Sequence, residues 1–249
     1  MRLFVVMELS EWLRWYDMIR SEFGYSIVDD HNAAQVLSSM LKRSEIETLR
    51  RMIKNKDVVI FGSGPSLESF KDYHKFKDSI FIACDGACEA LLANNIKPDV
   101  VVTDLDGDYE SLIKASRLGA IMVVHAHSDN VKIMLNLVPK FDKCIATTQV
   151  KPFDSVYNFG GFTDGDRAVF LADALGASKI ILVAMDLGDE IGIYSRSSVK
   201  KEVKIKKMKI AKRLLEYLAE RSNSKLYNLS NSNIRGFENI SIDDITTIK

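Results

Sequence analysis

The sequence predicts an α/β protein with a doubly wound, mainly parallel Rossmann-like sheet and a helical N-terminal segment. From residue 57 onward, short runs that are apolar at successive positions alternate with stretches of helical spacing. Such runs suit strands that are buried on both faces. Before residue 55, apolar residues recur instead every three or four positions, which is typical of helices. We therefore expect a helical segment over residues 1–55 and an α/β domain over 56–249.

The elements can be assigned in order along the chain. Trp12, Tyr16 and Ile19 form the apolar stripe of a first helix, and Asp29 or Asp30 is expected to cap a second. The predicted strands are 57–61, 79–84, 99–103, 121–125, 142–148 and 178–185. The intervals with the length of right-handed helical crossovers are 86–95, 108–118 and 164–176.

Composition excludes several classes of protein. The 249 residues carry 34 Lys+Arg against 34 Asp+Glu, so the net charge is zero. The charge balance therefore gives no indication that nucleic acid or an anionic membrane is a partner. No run reaches the roughly 18 apolar residues of a membrane helix, and the start lacks a signal-peptide cleavage site. Three cysteines, an odd number, are typical of a reduced protein with buried thiols. We expect a cytoplasmic protein with neither nucleic acid nor membrane as a partner.

Acidic residues gather where the predicted strands end. Asp85-Gly86 follows the second strand, Asp104 and Asp106 follow the third, and the fourth runs into His125-Ala126-His127-Ser128-Asp129. Ligands bind at this edge of an open parallel sheet, and clustered carboxylates favour a divalent cation. Independent helix N-caps would account for one or two of these aspartates but not for all of them. His125 and His127 could bind zinc, although contacts to phosphate or a heterocycle are the favoured interpretation.

A glycine-containing loop, Gly62-Ser63-Gly64-Pro65-Ser66, follows the first strand. Its backbone could approach an anion closely. The dinucleotide-binding pattern fails at its third glycine, where Leu67 stands, and the lysine of a P-loop is missing. A tight strand-to-helix turn is the alternative.

The stretch 196–213 is strongly basic and is opposed only by Glu202. One interpretation is the solvated face of a long helix, with Val203, Met208, Ala211, Leu215 and Leu218 forming its apolar stripe. The other is that one or two lysines reach a polyphosphate. The two interpretations are compatible.

The segment VVVTDLDG (100–107) also fits the motif of haloacid-dehalogenase-type phosphatases, with Asp104 as nucleophile. Asp108 stands where that motif has threonine, and the motif falls on the third strand instead of the first. The other acidic strand ends would then have no role.

Five segments in order, FGSGPSLE, ACDGA, PDVVVTDLDGD, VVHAHSDN and NFGGFTDGDRA, resemble the archaeal-type 6-hydroxymethyl-7,8-dihydropterin diphosphokinases, a family built on the domain of unknown function 115. The resemblance covers roughly residues 10–230, with Ser128 where glycine is expected. A more distant similarity is to thiamine pyrophosphokinases. The same domain occurs in motility-associated proteins implicated in flagellin glycosylation, so a metal-dependent nucleotide-sugar transferase stays an alternative.

The resemblance implies a Mg²⁺-dependent catalytic domain over 56–249 that transfers diphosphate from ATP to a dihydropterin alcohol and releases AMP, in folate or tetrahydromethanopterin biosynthesis. The expected catalytic residues are Asp104, Asp106 and Arg167. The expected metal ligands are Asp85, Asp104, Asp106 and Asp129. Contacts to nucleotide, phosphate or pterin are expected from Gly62, Ser63, Gly64, Pro65, Ser66, Asp85, Gly86, His125, His127, Asp164, Asp166 and Lys206, with Lys207 as an alternative to Lys206. The aromatic first helix would pack over the site or against a second subunit of a homo-oligomer.

Overall fold

The structure is a computed structural model that describes residues 7–41, 43–196 and 200–246. Its helices are α1 Leu9–Phe23, α2 Ile27–Met40, α3 Ile46–Ile53, α4 Ala87–Ala93, α5 Tyr109–Arg117, α6 Val131–Leu137, α7 Asp164–Ala174 and α8 Lys201–Ala219. Its strands are β1 Asp57–Phe61, β2 Ile80–Cys84, β3 Val100–Thr103, β4 Ile121–Ala126, β5 Cys144–Thr148, β6 Val156–Tyr157, β7 Lys179–Val183, β8 Lys225–Asn228 and β9 Glu238–Asn239.

The described strands form one parallel sheet in the order β6-β5-β4-β3-β2-β1-β7-β8-β9. The chain adds strands on one side of β1 up to β6 and then returns to add β7 on its other side. The strand order therefore reverses between β1 and β7, which is the switch point where doubly wound sheets bind ligands. The predicted fold class is confirmed.

The six predicted strands correspond to β1–β5 and β7, and their ends agree within two residues. The sequence prediction missed β6, β8, β9 and α6. β6 and β9 have two residues each, too few for any periodicity to show. β8 reads KLYN, which offers only two apolar residues to a pattern search.

The N-terminal helices share one hydrophobic core with the sheet, and Trp12, Tyr16 and Leu37 are buried in it. Trp12 and Tyr16 therefore pack within their own chain. The expected cap of α2 was wrong, because the Ser26 side chain accepts the hydrogen bond from the Asp29 amide instead. Asp30 lies in the first turn and is 1% exposed. The division into two parts near residue 55 and the homo-oligomer stay predictions. Within the two predicted ranges, 1–55 and 56–249, residues 1–6, 42 and 247–249 lie outside the described residues.

The basic C-terminal helix is α8, whose buried stripe is Ile210, Ala211, Leu214, Leu215 and Leu218. The basic stretch was predicted from residue 196, and its residues 197–199 lie outside the described residues. Cys84, Cys88 and Cys144 are free, buried thiols, as expected. None of the helices in the described ranges has the length and apolar character needed to span a membrane.

Candidate active site

A cavity opens at the carboxyl ends of the strands, beside the switch point between β1 and β7. The strand ends contribute its floor, α7 and α8 contribute its walls, and the segment after β7 crosses over it. Its lining includes Gly62, Ser63, Gly64, Asp85, Asp104, Asp106, Phe162, Asp164, Met185, Asp186, Glu190, Gly192, Ser195, Arg196, Lys204 and Lys207. The topology therefore brings residues from distant parts of the sequence to one site.

Three carboxylates converge in this cavity. One oxygen each from Asp85, Asp104 and Asp106 lies within 4.8 Å of the other two. Asp85 is buried, Asp104 is partly buried, and Asp106 is exposed. A set of carboxylate oxygens at this spacing suits a hard divalent cation such as Mg²⁺.

The backbone around the carboxylates has an unusual conformation. Asp85, Leu105 and Ala184 have positive φ angles of 40°, 72° and 53°, which side-chain-bearing residues seldom adopt. All three stand just after the strands that border the cavity. Positive φ angles of this kind concentrate at functional sites. Gly107 packs closely beside them, because an added Cβ there would lie 2.4 Å from an Asp85 carboxylate oxygen.

Thr103 fixes two of these positions. Its hydroxyl donates to Asp85 Oδ1 and accepts from the amide of Leu105 at 2.8 Å. The last residue of β3 thus orients the carboxylate of Asp85, just after β2, and the turn that carries Asp104 and Asp106.

The carboxylates have very different proton affinities. Burial and the charge of Asp104 raise the pKa of Asp85 to about 6. Asp106 is exposed as a residue, but its carboxylate is partly shielded from solvent, and this shielding with the charges of Asp104 and Asp85 raises its pKa to about 9. Burial likewise raises the pKa of Asp164, together with the charges of Asp104 and Asp85. Burial would also raise the pKa of Asp104, but a hydrogen bond and charge from His127, with further cations nearby, hold it below its ordinary value. Without a cation, the cluster binds protons instead.

Basic and aromatic side chains stand near the carboxylates. His127 Nε2 lies 3.4 Å from Asp104 Oδ2, and Arg167 Nη1 lies 3.7 Å from Asp164 Oδ1. On α8, Lys207 Nζ lies 5.7 Å from the centre of the Phe162 ring. Lys207 lines the cavity together with Arg196 and Lys204. His125, His127 and Arg167 are not among the lining residues, and His127 and Arg167 reach the site through Asp104 and Asp164, which do line it.

Lys204 of α8 also faces the carboxylates. Its Nζ donates to Ser195 O at 2.8 Å. Burial lowers the pKa of Lys204, and the charges of Asp106, Asp85 and Asp104 oppose that shift. Lys204 was not predicted, although its helical spacing of three from Lys207 could have placed both on one face.

Several buried polar atoms around the cavity lack a hydrogen-bond partner within the described residues. They are Asp104 Oδ1, Asp164 Oδ1, His125 Nε2 and Arg167 Nε. Polar groups this deeply buried are normally paired, so the arrangement fits a site that a metal-bound polyphosphate would complete. Burial and the neighbouring charge of Arg167 lower the pKa of His125, which favours its neutral form.

The Gly62–Ser66 loop lines the cavity with Gly62, Ser63 and Gly64. The amides of Gly62, Gly64 and Ser66 are used within the fold, however. Those of Gly62 and Gly64 donate to Val183 O and Ala184 O, and that of Ser66 donates to Asp186 Oδ2 at 2.7 Å. An added Cβ on Gly64 would lie 2.6 Å from Asp186 Oδ2, so this glycine permits close packing against the end of β7. Pro65 and Ser66 are not among the lining residues, and contact between this loop and a nucleotide stays a prediction.

Two of the predicted aspartates stand apart from the carboxylate cluster. Asp166 is buried and accepts from the amides of Phe162 and Thr163 at 2.6 and 2.7 Å, so both its oxygens hold the turn before α7. Asp129 is exposed, and its Oδ1 accepts from Ser128 Oγ.

Lys206 and Gly86 are also not among the cavity-lining residues. Lys206 is exposed, because the register of α8 turns Lys204 and Lys207 inward instead. An added Cβ on Gly86 would lie 1.8 Å from Tyr194 O, so glycine is required there by the segment that crosses the cavity.

Comparison with known proteins gives a consistent result. A family model described as 6-hydroxymethylpterin diphosphokinase MptE-like matches residues 31–192. Three curated archaeal proteins named 6-hydroxymethyl-7,8-dihydropterin pyrophosphokinase are similar over most of the chain. The protein of Pyrococcus furiosus is 45% identical over 90% of this chain and 100% of its own length. The protein of Methanothermobacter thermautotrophicus is 41% identical over 85% and 95%, and that of Methanocaldococcus jannaschii is 39% identical over 86% and 97%.

Among solved structures, the MAf glycosyltransferase from Magnetospirillum magneticum AMB-1 is similar with a TM-score of 0.53. The match covers 87% of this chain and 39% of that chain, at 16% sequence identity. This likeness shows a shared fold.

Proposed function

The chain belongs to the 6-hydroxymethylpterin diphosphokinase MptE-like family, and on that premise we propose that it transfers diphosphate from ATP to the hydroxymethyl group of 6-hydroxymethyl-7,8-dihydropterin, releasing AMP. It is a diphosphokinase. The observation that carries the finer proposal is the convergence of Asp85, Asp104 and Asp106 in a cavity at the switch point that Arg196, Lys204 and Lys207 also line.

In this reaction the alcohol oxygen attacks the β-phosphorus, the bond from that phosphorus to the α–β bridging oxygen breaks, and the alcohol proton is lost. Asp85, Asp104 and Asp106 would hold Mg²⁺, which when bound neutralises phosphate charge. Lys204, which lines the cavity, and Arg167, whose guanidinium lies beside the lining residue Asp164, would stabilise the negative charge that develops on the transferred group. Catalysis of this kind rests on positioning and electrostatics. The acidic and basic side chains that line the cavity would supply both.

The two alternatives from the sequence have less support. Family membership favours a diphosphokinase over a phosphatase that uses Asp104 as nucleophile. The similarity to a glycosyltransferase is one of fold and carries no activity with it. The three buried thiols suit a reducing compartment, and we propose the cytoplasm as the place of the reaction.

The direct test is incubation of the purified protein with ATP, Mg²⁺ and 6-hydroxymethyl-7,8-dihydropterin. We expect AMP and the pterin diphosphate in equal amounts, and no turnover when EDTA removes the cation. ADP in place of AMP, or no nucleotide product, would refute diphosphate transfer. Release of inorganic phosphate from generic phosphomonoesters would favour the phosphatase alternative instead.

A matched substitution ties this turnover to the site. Asp104→Asn keeps the size of the side chain but removes the charge that faces the cation, so we expect turnover to fall by at least about 10²-fold. Circular dichroism and the Tm check that the variant is folded. Asp129→Asn, an exposed position outside the carboxylate cluster, is the control and should retain turnover.

A further inference from the structure

A series of buried hydrogen bonds connects the N-terminal helices to Arg167. Tyr16 on α1 donates to Asp30 Oδ2, and Gln149 Nε2 donates to the same oxygen at 2.5 Å. Arg167 Nη2 in turn donates to Gln149 Oε1 at 3.4 Å. Trp12 Nε1 donates to the backbone carbonyl of Gln149 at 2.7 Å. All five residues are buried, so water does not replace these contacts.

The amide of Gln149 has a donor end and an acceptor end, and its neighbours fix which way it points. With Nε2 toward Asp30, the acceptor Oε1 faces the guanidinium of Arg167. The reversed amide would place its oxygen against a carboxylate and its NH₂ against a cation, and would lose both hydrogen bonds. Asp30 therefore sets the orientation in which Gln149 can accept from Arg167.

Arg167 has few other constraints. Its Nε lacks a hydrogen-bond partner within the described residues, and Nη1 is 3.7 Å from Asp164 Oδ1, a loose ion pair. A guanidinium has five donors, so the bond to Gln149 anchors one edge and leaves the other donors for an anionic ligand.

The same carboxylate also holds the turn that carries His127. Asp30 Oδ1 accepts from the amide of Ser128 at 2.8 Å, in the turn that follows β4. The preceding residue, His127, lies 3.4 Å from Asp104 Oδ2. One buried aspartate of α2 thus supports the two side chains that stand beside the carboxylate cluster.

We propose that Gln149, held by Asp30, is a positioning residue that orients Arg167 for the transferred phosphoryl group. The inference rests on the proposed function, which gives Arg167 its ligand. It assigns the N-terminal helices a role in catalysis, because Asp30, Tyr16 and Trp12 are what hold Gln149 in place.

The variant Gln149→Met tests the proposal, since methionine has nearly the same shape as glutamine without its strong donor and acceptor. In the assay for AMP we expect kcat to fall by about 10- to 100-fold, with a smaller change in KM for ATP. In an Arg167→Met background the same substitution should cause no further loss of kcat. An equal loss in both backgrounds, or no loss in folded Gln149→Met, would overturn the proposal.

Asp173→Asn is the control for a merely structural effect. Asp173 is a buried aspartate at the other end of α7, and its Oδ1 accepts from the hydroxyls of Ser222 and Ser224. We expect this variant to lower the Tm and leave kcat unchanged. A loss of kcat as large as that of Gln149→Met would mean that general destabilisation explains both, and would refute a positioning role.

A second measurement needs no activity. The Nε–H signal of Arg167 in a ¹H–¹⁵N spectrum is identified by its loss in Arg167→Met. It should shift or broaden in Gln149→Met, and also in Asp30→Asn if the first variant does not fold, but not in Asp173→Asn. An unchanged signal in the folded variants would overturn the proposal. Absence of AMP from the wild-type protein, by contrast, would refute the proposed function and leave this spectroscopic test intact.

Discussion

Aspartates that look alike in the sequence differ in what their oxygens contact. Asp166 has no oxygen left unpaired, because its two oxygens accept from the amides of Phe162 and Thr163. Asp104 Oδ1 lacks a partner within the described residues, at the centre of the carboxylate cluster. An oxygen already paired with the backbone is a poor metal ligand, so the two aspartates are expected to serve folding and chemistry respectively.

We predict that Asp166→Asn destabilises the protein without removing its chemistry. The asparagine retains one acceptor oxygen and places an NH₂ against backbone donors, so the free energy of unfolding should fall by about 1–3 kcal/mol. Chemical denaturation measures this loss, and kcat per folded molecule should stay close to that of the wild type. A folded Asp166→Asn protein as inactive as Asp104→Asn would show that Asp166 contacts the substrates.

At the scale of elements, α8 combines both interpretations of its basic sequence. Its apolar stripe is buried in the core, its outward lysines are solvated, and Lys204 and Lys207 point into the cavity. The helical repeat separates these roles, because residues three apart share a face while Lys206 lies on another. The sequence showed that a basic helix stands here, but it did not show which of its lysines face the cavity.

The lysines of α8 provide an internally controlled prediction. Lys204→Ala should lower kcat by on the order of 10²-fold, because it removes a partly buried positive charge facing the carboxylates and the transferred group. Lys206→Ala should change kcat by no more than about twofold, as expected of an exposed position. Steady-state AMP formation measures both. The prediction fails if Lys206→Ala is the more damaging substitution.

At the scale of the whole molecule, local sequence patterns determined the central strands and crossover helices, because buried parallel strands leave uninterrupted apolar runs. They also placed Asp85, Asp104 and Asp106 at one edge of the sheet. The contacts that complete the site are long-range and have no local signature. Gln149 and Asp30 are 119 positions apart, and the segment that carries Ser195 and Arg196 over the cavity follows β7 without any recognisable pattern.

The clustered carboxylates also set how the stability of the metal-free protein depends on pH. Asp85 and Asp106 have folded-state pKa values of about 6 and about 9, above those of an unfolded chain. The folded protein therefore binds more protons than the unfolded chain between about pH 4 and pH 9, and its free energy of unfolding falls as pH rises through that window. Two groups act in the opposite sense. The lowered pKa of Asp104 does so only below about pH 4, and the lowered pKa of His125 does so up to about pH 6.5, where this single group is outweighed by Asp85, Asp106 and Asp164 together.

We therefore predict that the metal-free protein has a lower Tm at pH 8 than at pH 6. Asp106→Asn removes one of the groups that must ionise, so it should raise the Tm at pH 8 and flatten the dependence, by roughly 2–4 °C for each kcal/mol recovered. Mg²⁺ should raise the Tm more at pH 8 than at pH 6, because at the lower pH it must displace protons from its ligands. Differential scanning calorimetry with and without EDTA measures all three effects, and Asp129→Asn, outside the cluster, should behave as the wild type. A pH dependence that Asp106→Asn leaves unchanged would mean that these carboxylates do not repel one another in the folded protein, and that the cluster has no need of a cation.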